Sequence, residues 1–140
     1  MVDTVSAAQR SQIMSRIRSE GTKPEIAVRR LTHSLGYRYR LHRKDLPGTP
    51  DLVFPSRRKV IFVHGCFWHQ HRDCDHMHVP QSNRDYWLPK LRRNAERDSK
   101  HERRLAELGW KTLVLWECEV SQGGEALGER IRDFLDESAS

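Results

Sequence analysis

The stretch Asp51–Gly65, DLVFPSRRKVIFVHG, decides how this chain folds. It holds two short apolar runs, DLVF and KVIFVHG, joined by PSRR. Runs of this length, rich in Val, Ile and Phe and bounded by turn residues, predict strands. A four-residue connection between them predicts a hairpin.

Upstream, DLPGTP (Asp45–Pro50) reads as a turn, and YRYRLH (Tyr37–His42) alternates aromatic or apolar with basic residues. That alternation predicts a strand with one face buried. Before it, Thr22 is placed to cap a helix, with Pro24 and Glu25 in its first turn, where a carboxylate suits the helix dipole. Ala27, Leu31 and Leu35 recur at four-residue spacing, and Gly36 ends the helix. Residues 1–21 are polar apart from a short helical pattern at Ile13, Met14 and Ile17, and are expected to form an arm.

Downstream, Tyr86–Leu108 is a long, charged amphipathic helix with Leu91, Leu105 and Leu108 as apolar positions and Gly109 as its stop. WKTLVLW (Trp110–Trp116) predicts a central strand. A last helix follows Gly124, with Leu127, Ile131 and Leu135 on one face. The order helix, three strands, helix, strand, helix implies an α/β fold, a mixed sheet flanked by helices. The expected division is an arm over 1–21 and one domain over 22–140.

The chain has 140 residues, a formal net charge of +6, a pI near 9.6 and 31% charged residues. Such an excess of Lys and Arg suits a polyanion, and nucleic acid is the commonest. The first residues lack the apolar run of a secretion signal, and no stretch approaches the ~20 apolar residues of a membrane span. Three cysteines cannot all pair as disulfides, so thiols or metal ligands in a reducing compartment are expected, and with them a cytoplasmic protein.

The densest chemistry lies in HGCFWHQHRDC, His64–Cys74. Cys66, His71 and Cys74 are spaced as ligands on one loop, and Cys118 lies just past the last strand. Together they make a tetrahedral structural zinc set, with His69, His76 and His78 as competitors for the histidine position. Asp51 stands where the hairpin opens. Many metal-dependent nucleases place an Asp there and an acidic residue plus Lys on the next strand, but here that second place reads FVHGC. A Mg²⁺ ion at Asp51 would complete its shell with a main-chain carbonyl, waters or phosphate oxygens. Without the lysine, His69 is the best general base, with His64 and Glu25 as nearby supports.

LPGTPDLVF, VIFVHGCFWHQH, YWLPKLRRNAERD and LGWKTLVLWEC together resemble the very short patch repair (Vsr) mismatch endonucleases, over roughly residues 8–120. The resemblance implies a restriction-endonuclease-like fold. It implies nicking of double-stranded DNA on the 5′ side of the thymine in a T·G mismatch, the product of 5-methylcytosine deamination. It assigns Mg²⁺ to Asp51 and to the main-chain carbonyl of Val63, a position that is commonly Thr in the family. His69 matches the catalytic histidine, His64 and Glu25 its supports, and Asp98 a nearby acid. Cys66, His71, Cys74 and Cys118 match the zinc ligands, although the loop between His71 and Cys74 is one residue longer. Phe67, Trp68 and Trp87 match aromatics that wedge into the base stack, which a mismatch opens cheaply. Met14 matches an N-terminal segment that enters from the other groove, and Asn94 a DNA-contacting position. The Arg and Lys residues of the long helix are suited to phosphates, interleaved with acids that pair them internally.

A monomer is expected, nucleoid-associated when bound to DNA, with mismatch-repair proteins as candidate partners. Two alternatives remain open: a related nuclease cutting another DNA target, and a non-catalytic zinc-stabilised DNA-binding module.

Overall fold

A computed structural model describes residues 22–66, 69 and 84–137. The expected arm, with Met14, lies outside these residues, as do Phe67, Trp68, His71 and Cys74. The elements in chain order are α1 (Lys23–Ser34), β1 (Arg40–Leu41), β2 (Leu52–Phe54), β3 (Lys59–His64), α2 (Arg84–Glu107), β4 (Lys111–Trp116), α3 (Glu117–Gln122) and α4 (Gly124–Asp136). They form a mixed α/β structure with a four-stranded sheet in the order β1-β2-β3-β4.

The hairpin forms as the sequence implies. β2 and β3 pair antiparallel with Leu52 opposite Ile61, and PSR makes a 3₁₀ turn closed by Arg58 in the left-handed region at φ 53°. β3 then pairs parallel with β4 from Lys59↔Lys111 to His64↔Trp116, and the long helix α2 supplies the crossover that a parallel pair needs.

Both faces of this sheet are covered, which explains why its strands are unbroken apolar runs. Strand alternation sends Leu52, Phe54, Ile61 and Leu115 to one side, where they meet Val28 of α1 and Leu127, Ile131 and Leu135 of α4. Val53, Val60 and Phe62 go to the other, against Leu105 of α2, Trp110 and Leu46. Trp110 is further covered by two guanidinium groups, Arg58 at 5.2 Å and Arg43 at 5.9 Å from the ring centroid.

Four expectations shift. β4 is an edge strand among the described residues, not a central one, and is mostly half-buried. The strand expected over Tyr37–His42 pairs only at Arg40 and Leu41, because His42 turns left-handed at φ 48° and breaks the extended backbone. In α1 the buried face is Glu25, Val28 and Thr32, while Ala27 is exposed and Leu31 and Leu35 pack at its margin. The short helix α3 interrupts the expected connection after β4.

Lys59 is the one fully buried lysine among the described residues, at 1% exposure. Its ammonium donates to the carbonyls of Phe134, Leu135 and Glu137, closing the C-terminal end of α4, where helix carbonyls lack partners of their own. Lys59→Met keeps the apolar stem but removes the donor from the carbonyls of Phe134 and Glu137, while Leu135 keeps its bond from Arg57. It should lower stability by about 2–3 kcal/mol, the scale of losing charge-assisted hydrogen bonds in a buried setting. Urea unfolding of the two proteins measures this, and an unchanged midpoint would remove the cap from the account.

Candidate active site

The C-terminal end of β3 is where the two faces of the sheet meet. Successive residues point to opposite sides, so Val63 belongs with the face covered by α1, and His64 with that covered by α2. Each helix delivers side chains to this point.

From α1 comes Glu25, in the first turn. Thr22 caps the helix and its hydroxyl accepts from Glu25 N–H at 3.4 Å. Glu25 is 3% exposed and ion-paired with Arg29 one turn on. Asp51, just before β2, faces it. Val63 N–H donates to Asp51 Oδ2 at 2.7 Å, tying the carboxylate to the end of β3. His42 completes the group: its Nε2 lies 3.0 Å from Glu25 Oε2 and 3.8 Å from Asp51 Oδ1.

Burial pushes the Asp51 carboxyl up to about 7. The Val63 N–H opposes that shift, whereas the charge and hydrogen bond of Glu25 add to it, and Arg29 works in the opposite sense. Two carboxylates pressed together in a partly dry site are a poor arrangement without a proton or a cation between them. Ligand atoms of Glu25, His42 and Asp51 all lie within 4.8 Å of one another, so a divalent ion fits this donor set.

From α2 comes Asp98. The inward stripe of that helix runs Leu91, Asn94, Asp98, His101 and Leu105, so its burial period carries polar groups as well as leucines. Arg92, Arg93, Arg97, Lys100, Arg103 and Arg104 are all exposed on the helix's solvent side. The Asp98 carboxylate accepts a hydrogen bond from His69 Nδ1. That partner fixes the proton on Nδ1 and leaves Nε2 with its lone pair. His64 stacks on His69, centroids 3.8 Å apart and planes 7° from parallel, with the Trp116 ring edge-on at 5.3 Å. Burial, with the charge of His69 in second place, pushes His64 down to about 3, so its imidazole stays neutral.

His64, His69 and Asp98 also have ligand atoms within 4.8 Å of one another. A metal must lie in the plane of each imidazole that binds it. Two stacked parallel rings cannot both satisfy that, whereas the Glu25, His42 and Asp51 group carries no such restriction.

The loop carrying Asp51 is packed against α2 at Gly48. A Cβ there would stand 2.9 Å from His101 Nδ1, and the backbone has φ 79°, so only glycine fits.

Sequence reasoning placed Asp51, Glu25, His64, His69, Asp98 and Val63 at one site, and the structure brings them to the end of β3. Trp87 is half-buried in the first turn of α2, edge-on to exposed Tyr86 at 5.0 Å. Asn94 is buried at 8% exposure, one turn from Asp98. Of the zinc candidates, Cys66 and Cys118 each lie two residues beyond the final pair His64↔Trp116, at the same end of adjacent parallel strands. His42 was missed, because its strand reading gave its side chain no task. Its position one residue beyond the pair Leu41↔Leu52 places it opposite Asp51.

The family profile described as DNA mismatch endonuclease Vsr matches residues 2–76. A type II nicking enzyme of Xanthomonas oryzae pv. oryzae is 55% identical over 138 residues, covering 99% of this chain and all of the relative. A second type II nicking enzyme, from Neisseria meningitidis serogroup A, is 41% identical, covering 97% of this chain and 99% of the relative. The DNA mismatch endonuclease Vsr of Escherichia coli K12 is 39% identical, covering 96% of this chain and 88% of the relative.

The Asp51 carboxyl makes stability depend on pH. Its folded pKa, about 7, exceeds the ordinary 3.8, so its contribution is full below pH ~4 and is lost as pH rises towards 7. A divalent cation competes with that proton. Mg²⁺ should therefore raise the melting temperature more at pH 8 than at pH 5.5, and Asp51→Asn should flatten both dependences. Thermal melts at the two pH values with and without Mg²⁺ check this.

Proposed function

The chain belongs to the Vsr family of DNA mismatch endonucleases, and from that premise we propose that it nicks one strand of a DNA duplex 5′ to the thymine of a T·G mismatch, with a divalent cation as cofactor. It is a DNA endonuclease. The observation that carries the proposed chemistry is the meeting, at one strand end, of a buried carboxylate pair with an imidazole oriented by a second carboxylate.

Asp51 and the main-chain carbonyl of Val63 would hold Mg²⁺, which when bound polarises the scissile phosphate and stabilises charge on the leaving oxygen. His69 is the general base. Asp98 holds its Nδ1 proton, so Nε2 is left to take a proton from the attacking water as the new P–O bond forms and the leaving oxygen departs. Asp98 also stabilises the imidazolium so produced. His64 supports the ring by stacking and, being neutral, leaves the proton to His69. Glu25 orients the Asp51 side of the site through its buried carboxylate.

Mismatch selection is assigned to Phe67, Trp68 and Trp87, as wedges that replace stacking lost where the duplex opens. Met14 enters from the opposite groove, and Asn94 contacts DNA next to the catalytic turn of α2. The exposed basic residues of α2 provide phosphate contacts. A structural zinc bound by Cys66, His71, Cys74 and Cys118 would fix the aromatic loop onto the sheet. The two cysteines among the described residues share one end of the β3–β4 pair, which suits that role. The fold is read as restriction-endonuclease-like, with residues 1–21 as a DNA-contacting arm, one active site per monomer, and action at the nucleoid in the cytoplasm. Mismatch-repair proteins are candidate partners.

The test is cleavage of an end-labelled duplex carrying one T·G mismatch in a 5-methylcytosine context, with Mg²⁺ or EDTA, beside its T·A counterpart. A Mg²⁺-dependent nick next to the mismatched T, absent from the control, is expected. Asp51→Ala and His69→Ala should abolish nicking while DNA binding persists. Asp98→Asn should slow it by about 10²–10⁴-fold, the range over which a positioned base contributes. Equal cutting of both duplexes would mark a nuclease for another DNA target, and binding without any cutting a DNA-binding module.

Metal analysis should find one zinc per chain. Cys118→Ser should release it and weaken mismatch nicking. Full zinc retention by that variant would exclude Cys118 from the ligand set.

A further inference from the structure

The third member of the carboxylate group is an imidazole that no step above uses. We propose that His42 is a nitrogen ligand of the cation at Asp51, giving the site a mixed N,O donor set that favours Mn²⁺ and Co²⁺ over Mg²⁺. The proposal rests on the reading of Asp51 as a metal carboxylate and adds a residue that sets which ion the site prefers.

The backbone puts His42 there for a topological reason. β1 and β2 pair as Arg40↔Val53 and Leu41↔Leu52, and one further step of that register sets His42 across from Asp51. At His42 the strand stops, because the residue adopts φ 48°, a left-handed conformation for which His is better suited than most residues. The side chain is nevertheless 88% removed from solvent, since only 12% is exposed. The ring is therefore held inside the site by the fold.

The distances are those of donors that can share one ion. Nε2 to Glu25 Oε2 is 3.0 Å, which suits a hydrogen bond. Nε2 to Asp51 Oδ1 is 3.8 Å, too long for one. Two donors each ~2.1 Å from a common ion stand about 3–4 Å apart, depending on whether they are cis or more widely spread. Both distances fall in that interval. With an ion bound, Nε2 supplies its lone pair and the ring carries its proton on Nδ1.

Charge agrees with this arrangement. Arg29 is paired with Glu25 and offsets one carboxylate, so Glu25, Asp51 and Arg29 sum to −1 while the imidazole is neutral. A dication meets one compensating charge and a neutral nitrogen donor, unlike an all-carboxylate cage. Mg²⁺ favours oxygen and keeps its waters, whereas imidazole raises affinity for first-row transition ions. The side chain of Asp51 is 20% exposed, which leaves a face open for the phosphate.

The experiment uses zinc-loaded, DNA-free protein with Mn²⁺ as the probe. Electron spin-echo spectroscopy of bound Mn²⁺ reports directly coordinated nitrogen, and calorimetry gives Mn²⁺ and Mg²⁺ affinities. Wild type should show nitrogen coupling, which His42→Asn should lose, asparagine being chosen because it tolerates φ 48°. In the same variant Mn²⁺ affinity should fall at least about tenfold, the usual scale of losing a metal-site residue. Mg²⁺ affinity should change less than about threefold, since waters replace the lost donor. Wild-type Mn²⁺ without nitrogen coupling, or coupling that survives in both His42→Asn and His42→Gln, would overturn the proposal while leaving Asp51 in place. Asp51→Asn is the control for the underlying reading: binding of both ions should collapse, and unchanged binding would overturn the role of Asp51 and that of His42 with it. The spectrum of the wild-type protein decides the question even where a variant folds poorly.

Discussion

The hydrogen bond from Val63 N–H to Asp51 Oδ2 is the constraint around which the site is arranged. It joins the residue before β2 to the end of β3, so the carboxylate is fixed by the hairpin that also forms the core. Once Asp51 is held there, its position relative to α1 and α2 follows from the sheet. Glu25 reaches it from one face and the His64–His69–Asp98 group reaches the same strand end from the other. The N–H also moderates the effect of burial, which alone would favour the protonated acid still more strongly.

The electrostatic plan places opposite signs in separate layers. The carboxylates of Glu25, Asp51 and Asp98 are turned inward at the end of β3, while the basic residues of α2 stay in water. A polyanion is drawn to the outer layer and approaches an inner layer that repels it unless a cation intervenes. A single helix supplies both: its exposed side bears Arg92, Arg93, Arg97, Lys100, Arg103 and Arg104, and its inward stripe carries Asn94 and Asp98. In the proposed mechanism one helix would thus both meet the phosphates and orient the base.

The hairpin, the long helix and the last helix were legible because their signals are local: short apolar runs around PSRR, Leu91 and Leu105 in a long charged segment stopped by Gly109, and Leu127, Ile131 and Leu135 at helical spacing. Strand order was not. WKTLVLW is as apolar as an inner strand, yet among the described residues it lies at the sheet margin, its apolar side chains buried by helices packed on the two faces of the sheet. The face of α1 was misjudged for a related reason, since Glu25 counts as polar in a periodicity but is buried by its partners. Asp51 and His69 stood out by residue type and setting. Asp98 required the family resemblance, because one acid among alternating charges carries no distinguishing pattern. His42 required three-dimensional register, which no spacing rule over YRYRLH provides.

β4 is marginal among the described residues, and that position has a consequence for how these molecules meet one another. A strand with an unpaired side is a template on which another chain's strand can add. Here the Arg130 guanidinium reaches back from α4, donates to the Val114 carbonyl at 3.3 Å, and is itself anchored by an ion pair with Glu119 of α3. A side chain thus occupies an acceptor that an incoming strand would use. Among the described residues, the side chains of α3 and α4 thus stand against edge-to-edge association at this margin of the sheet.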